Sequence, residues 1–337
     1  MSAEVPFDDD GPGIAGQLFG LPFSQEQAAL VIVPVPWEVT VSYGSGTAAG
    51  PQAVLNSSVQ VDLFSVDQPY AWKKGVCLAP MPQSLLLQSE ECRQKAIEHI
   101  ELVSSGKSTE SSLHLPQLNA ACESLNIYVK NTTAGLLREG KRVGLLGGDH
   151  STPLGFIRAL SERYERFGIL HIDAHADLRK AYEGFLYSHA SIMYNALKLP
   201  AVSRLVQVGI RDYCEEEVDV MNRSAGRVKT FFDSQLKTRL MEGETWKTLV
   251  SEIVLSLPDH VYISLDIDGL DPSLAPNTGT PVPGGLSFPQ CVYLLQQVKA
   301  SGKKVIGFDL VEVSGTSEWD ANVGARMLWE LCKVALA

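Results

Sequence analysis

The sequence predicts an α/β fold with three layers, α/β/α, around a mostly parallel central sheet. Short apolar runs rich in β-branched residues alternate with longer amphipathic stretches, as in parallel sheets whose strands are joined by helices. Most of the apolar runs are continuous rather than alternating, which is typical of strands covered on both faces. The chain has 337 residues, and we expect an irregular arm over residues 1–20 followed by a single domain over residues 21–337.

The predicted elements follow from these patterns in order. The apolar runs predict strands at Leu30–Val35, Arg142–Leu146, Phe167–Ile172, Arg204–Ile210, Arg227–Phe232, His260–Asp266 and Lys304–Asp309. The amphipathic stretches predict helices at Leu118–Leu137, Thr152–Arg166, His189–Leu197, Trp246–Leu257, Pro289–Ala300 and Asn322–Val334. The polar region 83–115 is predicted as a helix and a surface loop within the same domain.

The charge balance excludes several classes of partner. Lys and Arg total 28 and Asp and Glu total 39, which gives a net charge of −11. Such acidity argues against binding to nucleic acid and to anionic membranes. The N-terminus lacks the pattern of a secretory signal, and six cysteines without a C-x-x-C pair indicate reduced thiols in a cytoplasmic protein.

Acidic and imidazole side chains follow three of the predicted strands at their carboxyl ends. The runs RVGLLGGDHS, FGILHIDAHADLR and HVYISLDIDGLDP supply His150, then Asp173, His175 and Asp177, then Asp266 and Asp268. Ligands of open parallel sheets bind beyond the carboxyl ends of the strands. We therefore expect these six side chains to meet at one edge of the sheet.

Four carboxylates gathered at one edge would repel each other and raise their own pKa values. Divalent cations remove this repulsion, and carboxylate and imidazole groups suit such ions. The absence of thiolate among these groups argues against a structural zinc site and favours a pair of hard or borderline ions, as in two-metal hydrolases. Taken singly, GGDH is also compatible with a strand end capped by Asp, and D-x-D-G-x-D-P with a turn or a calcium loop.

With GGDHS, HIDAHADLR, SLDIDGLDPSLAPNTGTPVPGGLS and FDLVEVSG in this order, the sequence resembles the ureohydrolase family, which includes arginases and agmatinases. The resemblance covers roughly residues 30–337 and implies an arginase-like fold with two divalent ions, usually Mn²⁺, with Ni²⁺ or Co²⁺ as alternatives. It places the metal ligands at His150, Asp173, His175, Asp177, Asp266 and Asp268, with Asp173 and Asp266 bridging the ions.

The resemblance also implies roles in hydrolysis of a guanidino C–N bond by metal-bound hydroxide. His189 matches a mobile-loop histidine that carries protons to the leaving amine, and Glu312 matches a glutamate that pairs with the guanidinium. Asp177 is assigned to catalysis as well as to metal binding, and Thr280 to substrate binding. The alternative interpretations of His189, Glu312 and Thr280 are a packing or capping residue, a solvated strand-end carboxylate and a turn residue.

The segments that select the substrate match the family less closely. Arginases have an aspartate near the position of Cys214, which this chain lacks, while Glu217 lies nearby. Arg179 follows the metal motif and either binds a substrate carboxylate or is solvated. The loop YEGFLYSHAS favours an agmatinase-like enzyme that converts agmatine to putrescine and urea. Arginase, guanidinobutyrase, guanidine hydrolase and formiminoglutamase activities are the alternatives.

Two more distant alternatives have different metal requirements. A deacetylase-like amidohydrolase would bind one zinc ion, and a non-catalytic subunit would keep the fold without turnover. The resemblance also implies a homo-oligomer, a trimer or a hexamer, with a small cationic guanidino compound as substrate.

Overall fold

The structure, a computed structural model, describes residues 11–336. Residues 1–10 of the predicted arm lie outside this range. The strands are β1 (Leu30–Val35), β2 (Val76–Leu78), β3 (Arg142–Gly147), β4 (Phe167–Ile172), β5 (Val202–Ile210), β6 (Val228–Phe232), β7 (His260–Asp266) and β8 (Lys304–Val311). The seven predicted strands are confirmed, with ends that shift by up to two residues. The short edge strand β2 was not predicted, because three residues are too few to give a pattern.

Within residues 11–336 the strands form one sheet in the order β2-β1-β3-β8-β7-β4-β5-β6. Every pair of neighbouring strands is parallel. The predicted fold class is therefore confirmed. The order also brings the ends of β3, β8, β7 and β4 side by side, although these strands are far apart along the chain.

The helices are α1 (Gly50–Ser58), α2 (Gln83–Ser104), α3 (Leu115–Arg138), α4 (Leu154–Arg163), α5 (Ile192–Leu197), α6 (Glu215–Arg223), α7 (Asp233–Met241), α8 (Trp246–Leu255), α9 (Phe288–Ala300) and α10 (Glu318–Ala335). The polar sequences of α6 and α7 were not predicted as helices, because each buries few apolar residues. Helix α10 begins four residues before the predicted start, because Ser317 Oγ caps it by accepting a hydrogen bond from Asp320 N. No helix between residues 11 and 336 has the length and apolarity needed to cross a membrane.

Two hydrophobic cores lie on opposite faces of the sheet. In β1, Leu30 and Ile32 point into the core covered by α1, α7, α8, α9 and α10. Val31 and Val33 point into the core on the side of α2, α3, α4 and α5. Because successive side chains of a strand point to opposite faces, continuous apolar strands produce the two-sided burial that defines three layers.

Two segments outside the regular pattern are attached to this framework. Within the described part of the arm, Leu18–Gly20 form a buried turn, and the ring of Phe19 packs edge-on against Trp329 at 5.2 Å. Region 83–115 is the helix α2 followed by a loop, as predicted. Arg93 of α2 donates hydrogen bonds to Val39 O and Val41 O, so this helix supports the loop after β1.

Candidate metal centre

The six predicted ligand residues meet beyond the ends of β3, β4 and β7. His150 Nδ1 lies at the centre of the first group, 3.0 Å from Asp173 Oδ2, 3.1 Å from Asp177 Oδ2 and 3.2 Å from Asp266 Oδ2. All four side chains are buried, and His150 Nδ1 makes no hydrogen bond of good geometry. One nitrogen and three carboxylate oxygens therefore converge in a space that excludes water.

A second group shares Asp173 with the first. His175 Nδ1 lies 3.0 Å from Asp268 Oδ2 and 3.5 Å from Asp173 Oδ1. Both Asp268 and Asp173 are buried, while the side chain of His175 is about one quarter exposed. The two oxygens of Asp173 thus face different groups, which is the arrangement needed for a carboxylate between two ions.

Hydrogen bonds to Ser264 leave a lone pair of His150 free for a cation. Ser264 Oγ donates to Asp309 Oδ1 at 3.0 Å, so its lone pair accepts from His150 Nε2–H, also at 3.0 Å. In a neutral imidazole only one nitrogen carries a proton. When a bound cation keeps His150 neutral, its Nδ1 therefore carries the lone pair directed at the three carboxylates. Without a cation, burial lowers the pKa of His150, but Asp173, Asp177 and Asp266 outweigh burial and raise that pKa well above its usual range.

Close backbone approaches fix the strand ends that carry these ligands. A Cβ atom on Gly148 would lie 2.0 Å from Trp37 O, so only glycine fits between β3 and the loop after β1. Asp177 and Glu312 have positive φ angles of 55° and 61°. Non-glycine residues rarely adopt this conformation, and such strain is concentrated at functional sites.

The pKa values of the cluster show how strongly its carboxylates repel one another and attract protons. Burial and the neighbouring Asp173 raise the pKa of Asp177 to about 6. Burial, together with Asp268 and Asp173, raises the pKa of Asp266 well above its usual range. Burial lowers the pKa of His175, but Asp268 and Asp173 outweigh it and raise that pKa to about 12. The cluster therefore attracts positive charge, and protonated imidazole supplies it when no ion is bound.

These observations match a site for divalent cations. The donors are carboxylate oxygens and imidazole nitrogens without a thiolate, the set preferred by hard and borderline ions. They form two groups joined through Asp173, with the ligand atoms of each group within 4.8 Å of one another: His150, His171, Asp173 and Asp177 in one, and Asp173, His175 and Asp268 in the other. The residues present therefore fit two adjacent ions.

An open cleft of about 130 Å³ leads to this cluster. Its floor includes His175 and Asp177. Its walls include Tyr182 and four residues that the sequence assigns to catalysis or substrate binding: Arg179, His189, Glu217 and Thr280. The cleft therefore brings two of the predicted metal ligands and most of the predicted substrate residues into one space.

Comparison with known proteins agrees with this geometry. A sequence model described as the arginase family matches residues 28–333, which is most of the chain. The chain belongs to the arginase family. Members of this family are ureohydrolases, which hydrolyse guanidino C–N bonds, and they depend on two metal ions.

Several curated relatives share sequence with this arginase-family chain over most of their length. It is 33% identical over 305 residues to an N(1)-aminopropylagmatine ureohydrolase of Thermus thermophilus, covering 90% of this chain and 88% of the relative. It is 30% identical over 314 residues to the agmatinase of Neisseria meningitidis serogroup B, covering 91% and 87%. The solved agmatine ureohydrolase of Thermoplasma volcanium shares the fold, with a TM-score of 0.71, 24% identity and coverage of 98% and 95%.

His189 lies on the wall of the arginase-family cleft, where Thr40 holds it. Thr40 Oγ1 accepts a hydrogen bond from His189 N at 3.2 Å and lies 3.2 Å from His189 Nδ1. Burial, with the nearby His175 and His150, lowers the pKa of His189 to about 3. Sequence analysis did not select Thr40, because its partner is 149 residues away and no local pattern links the two.

Glu312 follows the end of β8 and lies beside the cluster. Its Oε1 accepts a hydrogen bond from His150 N at 2.8 Å, while its buried Oε2 has no hydrogen-bond partner. Burial, with Asp266 and Asp149 nearby, raises the pKa of Glu312 well above its usual range. One carboxylate oxygen is therefore available for a cation beside the metal centre.

Arg179 and Glu217 contact each other at the cleft wall. Glu217 accepts hydrogen bonds from Leu178 N through Oε1 and from Cys214 N through Oε2, both at 2.9 Å. Arg179 Nε lies 3.9 Å from Glu217 Oε2, and the Arg179 guanidinium covers the ring of Tyr182 at 5.0 Å. Both carboxylate oxygens of Glu217 are thus already bonded to the protein backbone.

His171 is a residue of the site that sequence analysis missed. Its Nε2 lies 2.7 Å from Asp173 Oδ2, and its Nδ1 lies 3.0 Å from Gln207 Nε2. The amide of Gln207 donates to Nδ1, so His171 presents Nε2–H to Asp173 and orients the carboxylate shared by both groups. A signal was present, because His171 extends the alternation to H-x-D-x-H-x-D at the end of β4.

Proposed function

We propose that this chain is an agmatinase-like ureohydrolase, which converts agmatine and water to putrescine and urea. The observation that supports this most directly is the cluster of six carboxylate and imidazole side chains at the strand ends, reached through a cleft that is lined by His175, Asp177 and His189. The buried Glu312 Oε2 beside this cluster has no hydrogen-bond partner. The relatives described above add support, because the compounds in their names, agmatine and N(1)-aminopropylagmatine, both carry a cationic tail.

In this proposal the metal ions are Mn²⁺, with Ni²⁺ or Co²⁺ as alternatives, held by His150, Asp173, His175, Asp177, Asp266 and Asp268. Two such ions, when bound, lower the pKa of a shared water and stabilise charge on the reacting group. His171 and Ser264 keep the ligands Asp173 and His150 in the orientation that binding requires.

The remaining residues of the chain handle the substrate and its proton. Glu312 Oε2 accepts hydrogen bonds from the substrate guanidinium and keeps its carbon beside the cluster. Thr280 borders the same space. The leaving amine must be protonated before it departs. His189 is neutral near pH 7, because its pKa is lowered to about 3, so it accepts a proton from the reacting water and passes that proton to the amine. Asp177 acts in catalysis as a metal ligand at the floor of the cleft.

A homo-oligomer, either a trimer or a hexamer, and a cytoplasmic location are further parts of this proposal. The family resemblance supports the oligomer, and the free state of all six cysteines agrees with a reducing compartment. Analytical ultracentrifugation of the full chain distinguishes trimer from hexamer.

The function is tested by urea release after loading with Mn²⁺, Ni²⁺ or Co²⁺. The panel contains agmatine, N(1)-aminopropylagmatine, arginine, 4-guanidinobutyrate, guanidine and formiminoglutamate, with ammonia and formamide measured for the last. We expect agmatine or its aminopropyl derivative to give the highest kcat/KM. Turnover of arginine or formiminoglutamate in preference to both would contradict the proposal, and metal binding without turnover of any compound would favour a non-catalytic subunit.

A further inference from the structure

An arginine of helix α2 holds the backbone on both sides of Thr40, in the loop that follows β1. Arg93 Nη1 donates hydrogen bonds to Val39 O at 3.1 Å and to Val41 O at 2.5 Å. These two carbonyls belong to the residues immediately before and after Thr40. The position of Thr40 is therefore fixed by a side chain that lies 53 residues further along the chain.

The same face of α2 makes a second contact with this loop. Ser89, one helical turn before Arg93, accepts a hydrogen bond from Glu38 N through Oγ at 2.8 Å. The carboxylate of Glu38 in turn accepts hydrogen bonds from Gly46 N at 2.7 Å and Ala48 N at 3.1 Å. Helix α2 is thus attached to a loop that is closed on itself, so that holding its first residues holds the whole loop.

Thr40 is the residue of this loop that contacts His189. Its Oγ1 accepts a hydrogen bond from His189 N at 3.2 Å and lies 3.2 Å from His189 Nδ1. A hydroxyl oxygen has two lone pairs and can accept from both nitrogens, and a neutral imidazole with hydrogen on Nδ1 keeps Nε2 unprotonated. Thr40 can therefore determine both the position of His189 and the nitrogen that accepts a proton.

Helix α2 also holds the turn that precedes His189. Glu183, at a positive φ of 52°, lies in this turn, which is closed by hydrogen bonds between the backbones of Tyr182 and Phe185. The buried His99 of α2 donates from Nε2 to Glu183 O at 2.6 Å, and its ring packs edge-on against Phe185 at 4.9 Å. The ring of Tyr182 packs edge-on against His189 at 5.9 Å. One helix thus supports His189 from two directions.

The charge of Arg93 is placed at a cost to the fold. Burial lowers the pKa of its guanidinium, although the nearby Glu38, Asp149 and Glu183 oppose this effect. Desolvation of a charged group costs free energy, yet the hydrogen bonds that Arg93 makes within residues 11–336 both go to neutral carbonyls. Its contribution is therefore the placement of the loop.

We propose that Arg93 is a positioning residue, which together with Ser89 places Thr40 and through Thr40 holds His189 ready for proton transfer. This inference rests on the proposed function, in which His189 carries a proton from the reacting water to the leaving amine. It gives the polar region 83–115 a role, because α2 acts from behind the wall of the cleft, which His189 lines and Arg93 does not.

The test is a double-mutant cycle on the metal-loaded full chain, with wild type, Arg93→Met, Thr40→Val and the variant that carries both changes. We expect Arg93→Met to lower kcat for agmatine about 2- to 10-fold, the effect of one hydrogen bond, with KM and bound metal unchanged. In the Thr40→Val background the same change should lower kcat no further, because residues that act through one contact are not additive. The pKa of His189 is lowered to about 3, mainly by burial, so loss of the Arg93 charge alone leaves this histidine neutral near pH 7.

Lys95→Met is the matched control, because it removes one positive charge from the same helix. Lys95 Nζ pairs with Glu91 Oε1 of α2 itself at 2.7 Å. We expect this variant to keep the wild-type kcat and KM. A fall in kcat equal to that of Arg93→Met would show that any loss of positive charge from α2 slows turnover, and would overturn the inference.

Two results of the cycle would also overturn the inference. One is a wild-type kcat in Arg93→Met, and the other is a pair of falls in kcat that multiply in the double variant, which would show that Arg93 acts independently of Thr40. If Arg93→Met does not fold, Ser89→Ala replaces it in the cycle with the same expectations, because it removes the other bond from α2 to this loop. Absence of guanidino hydrolysis by the wild type would instead overturn the proposed function.

Discussion

Replacement of Asp173 by alanine tests the binuclear arrangement most directly, because this carboxylate is shared by both groups of ligands. Its Oδ2 faces His150 and its Oδ1 faces His175. Without Asp173, each group loses one ligand and the two groups no longer share one. Two-metal sites hold about two ions per chain, and we expect the variant to retain fewer than one.

The cost to the metal-free fold can be worked out from the same contacts. Asp173 accepts hydrogen bonds from His171 Nε2 at 2.7 Å and from His175 N at 2.6 Å. Each buried donor left without an acceptor costs about 1–3 kcal/mol, so the two donors together cost about 2–6 kcal/mol. Relief of repulsion with Asp177 and Asp266 opposes this cost, and we expect the lower part of the range.

The assay combines metal content by inductively coupled plasma mass spectrometry, equilibrium unfolding of metal-free protein, and urea release from agmatine. Asp271→Ala is the control, since Asp271 lies in the loop after β7 but accepts its hydrogen bonds from Ser273 N and Oγ at the surface. We expect this control to keep its metal and turnover. An Asp173→Ala variant that binds two ions and hydrolyses agmatine at the wild-type rate would refute the binuclear assignment.

Three further predictions concern the cleft and the pH dependence. His189→Ala should keep its metal while turnover falls by about 10²- to 10⁴-fold, the range for loss of acid–base assistance; an unchanged rate would remove His189 from the mechanism. Thr40→Val should lower kcat by about 2- to 10-fold, the equivalent of one hydrogen bond of about 1 kcal/mol, and Thr40→Ser should restore it. If valine and serine behave alike, the hydroxyl does not position His189. Differential scanning fluorimetry of metal-free protein should give a melting temperature that falls as pH rises from about 5 to 9. The pKa of Asp177 is raised from 3.8 to about 6 and that of His175 from 6.5 to about 12, so both stabilise the fold only while protonated and lose that contribution as pH rises. A metal-loaded sample should not show this fall, and a rising curve without metal would contradict the assignment.

The ligand residues could be predicted from sequence because each lies within a few residues of a strand end. The alternation in HIDAHAD and the position of D-I-D after an apolar strand specify faces and edges locally. Thr40 lacks such a signal. Its role depends on a contact across the 149 residues that separate it from His189, which only the assembled sheet creates.

The helices show the same division between local and tertiary information. The buried faces of α3 and α9 produce an apolar period, and both helices were predicted with ends within a few residues. Helix α6 begins with three consecutive glutamates and buries only Glu217. Its stability comes from a capping box and from contacts with the sheet, neither of which gives an apolar pattern.

Seven of the buried carboxylates fall into two classes according to the backbone donors that they accept. In the first class each carboxylate accepts two backbone N–H groups. Its members are Glu38, bonded to Gly46 and Ala48; Asp149, bonded to Val39 and Ser151; and Glu217, bonded to Leu178 and Cys214. Backbone donors of the protein thus occupy both of these acceptor positions, so these acids serve to connect loops.

The second class accepts at most one backbone N–H per carboxylate. Asp173, Asp266, Asp268 and Glu312 each accept one. These acids face one another instead. Because an unpaired buried charge is costly, a cation is required to balance their negative charge. Glu217, which we had predicted to bind substrate, belongs to the first class by this criterion. The substrate cation is therefore expected at Glu312, whose Oε2 has no hydrogen-bond partner.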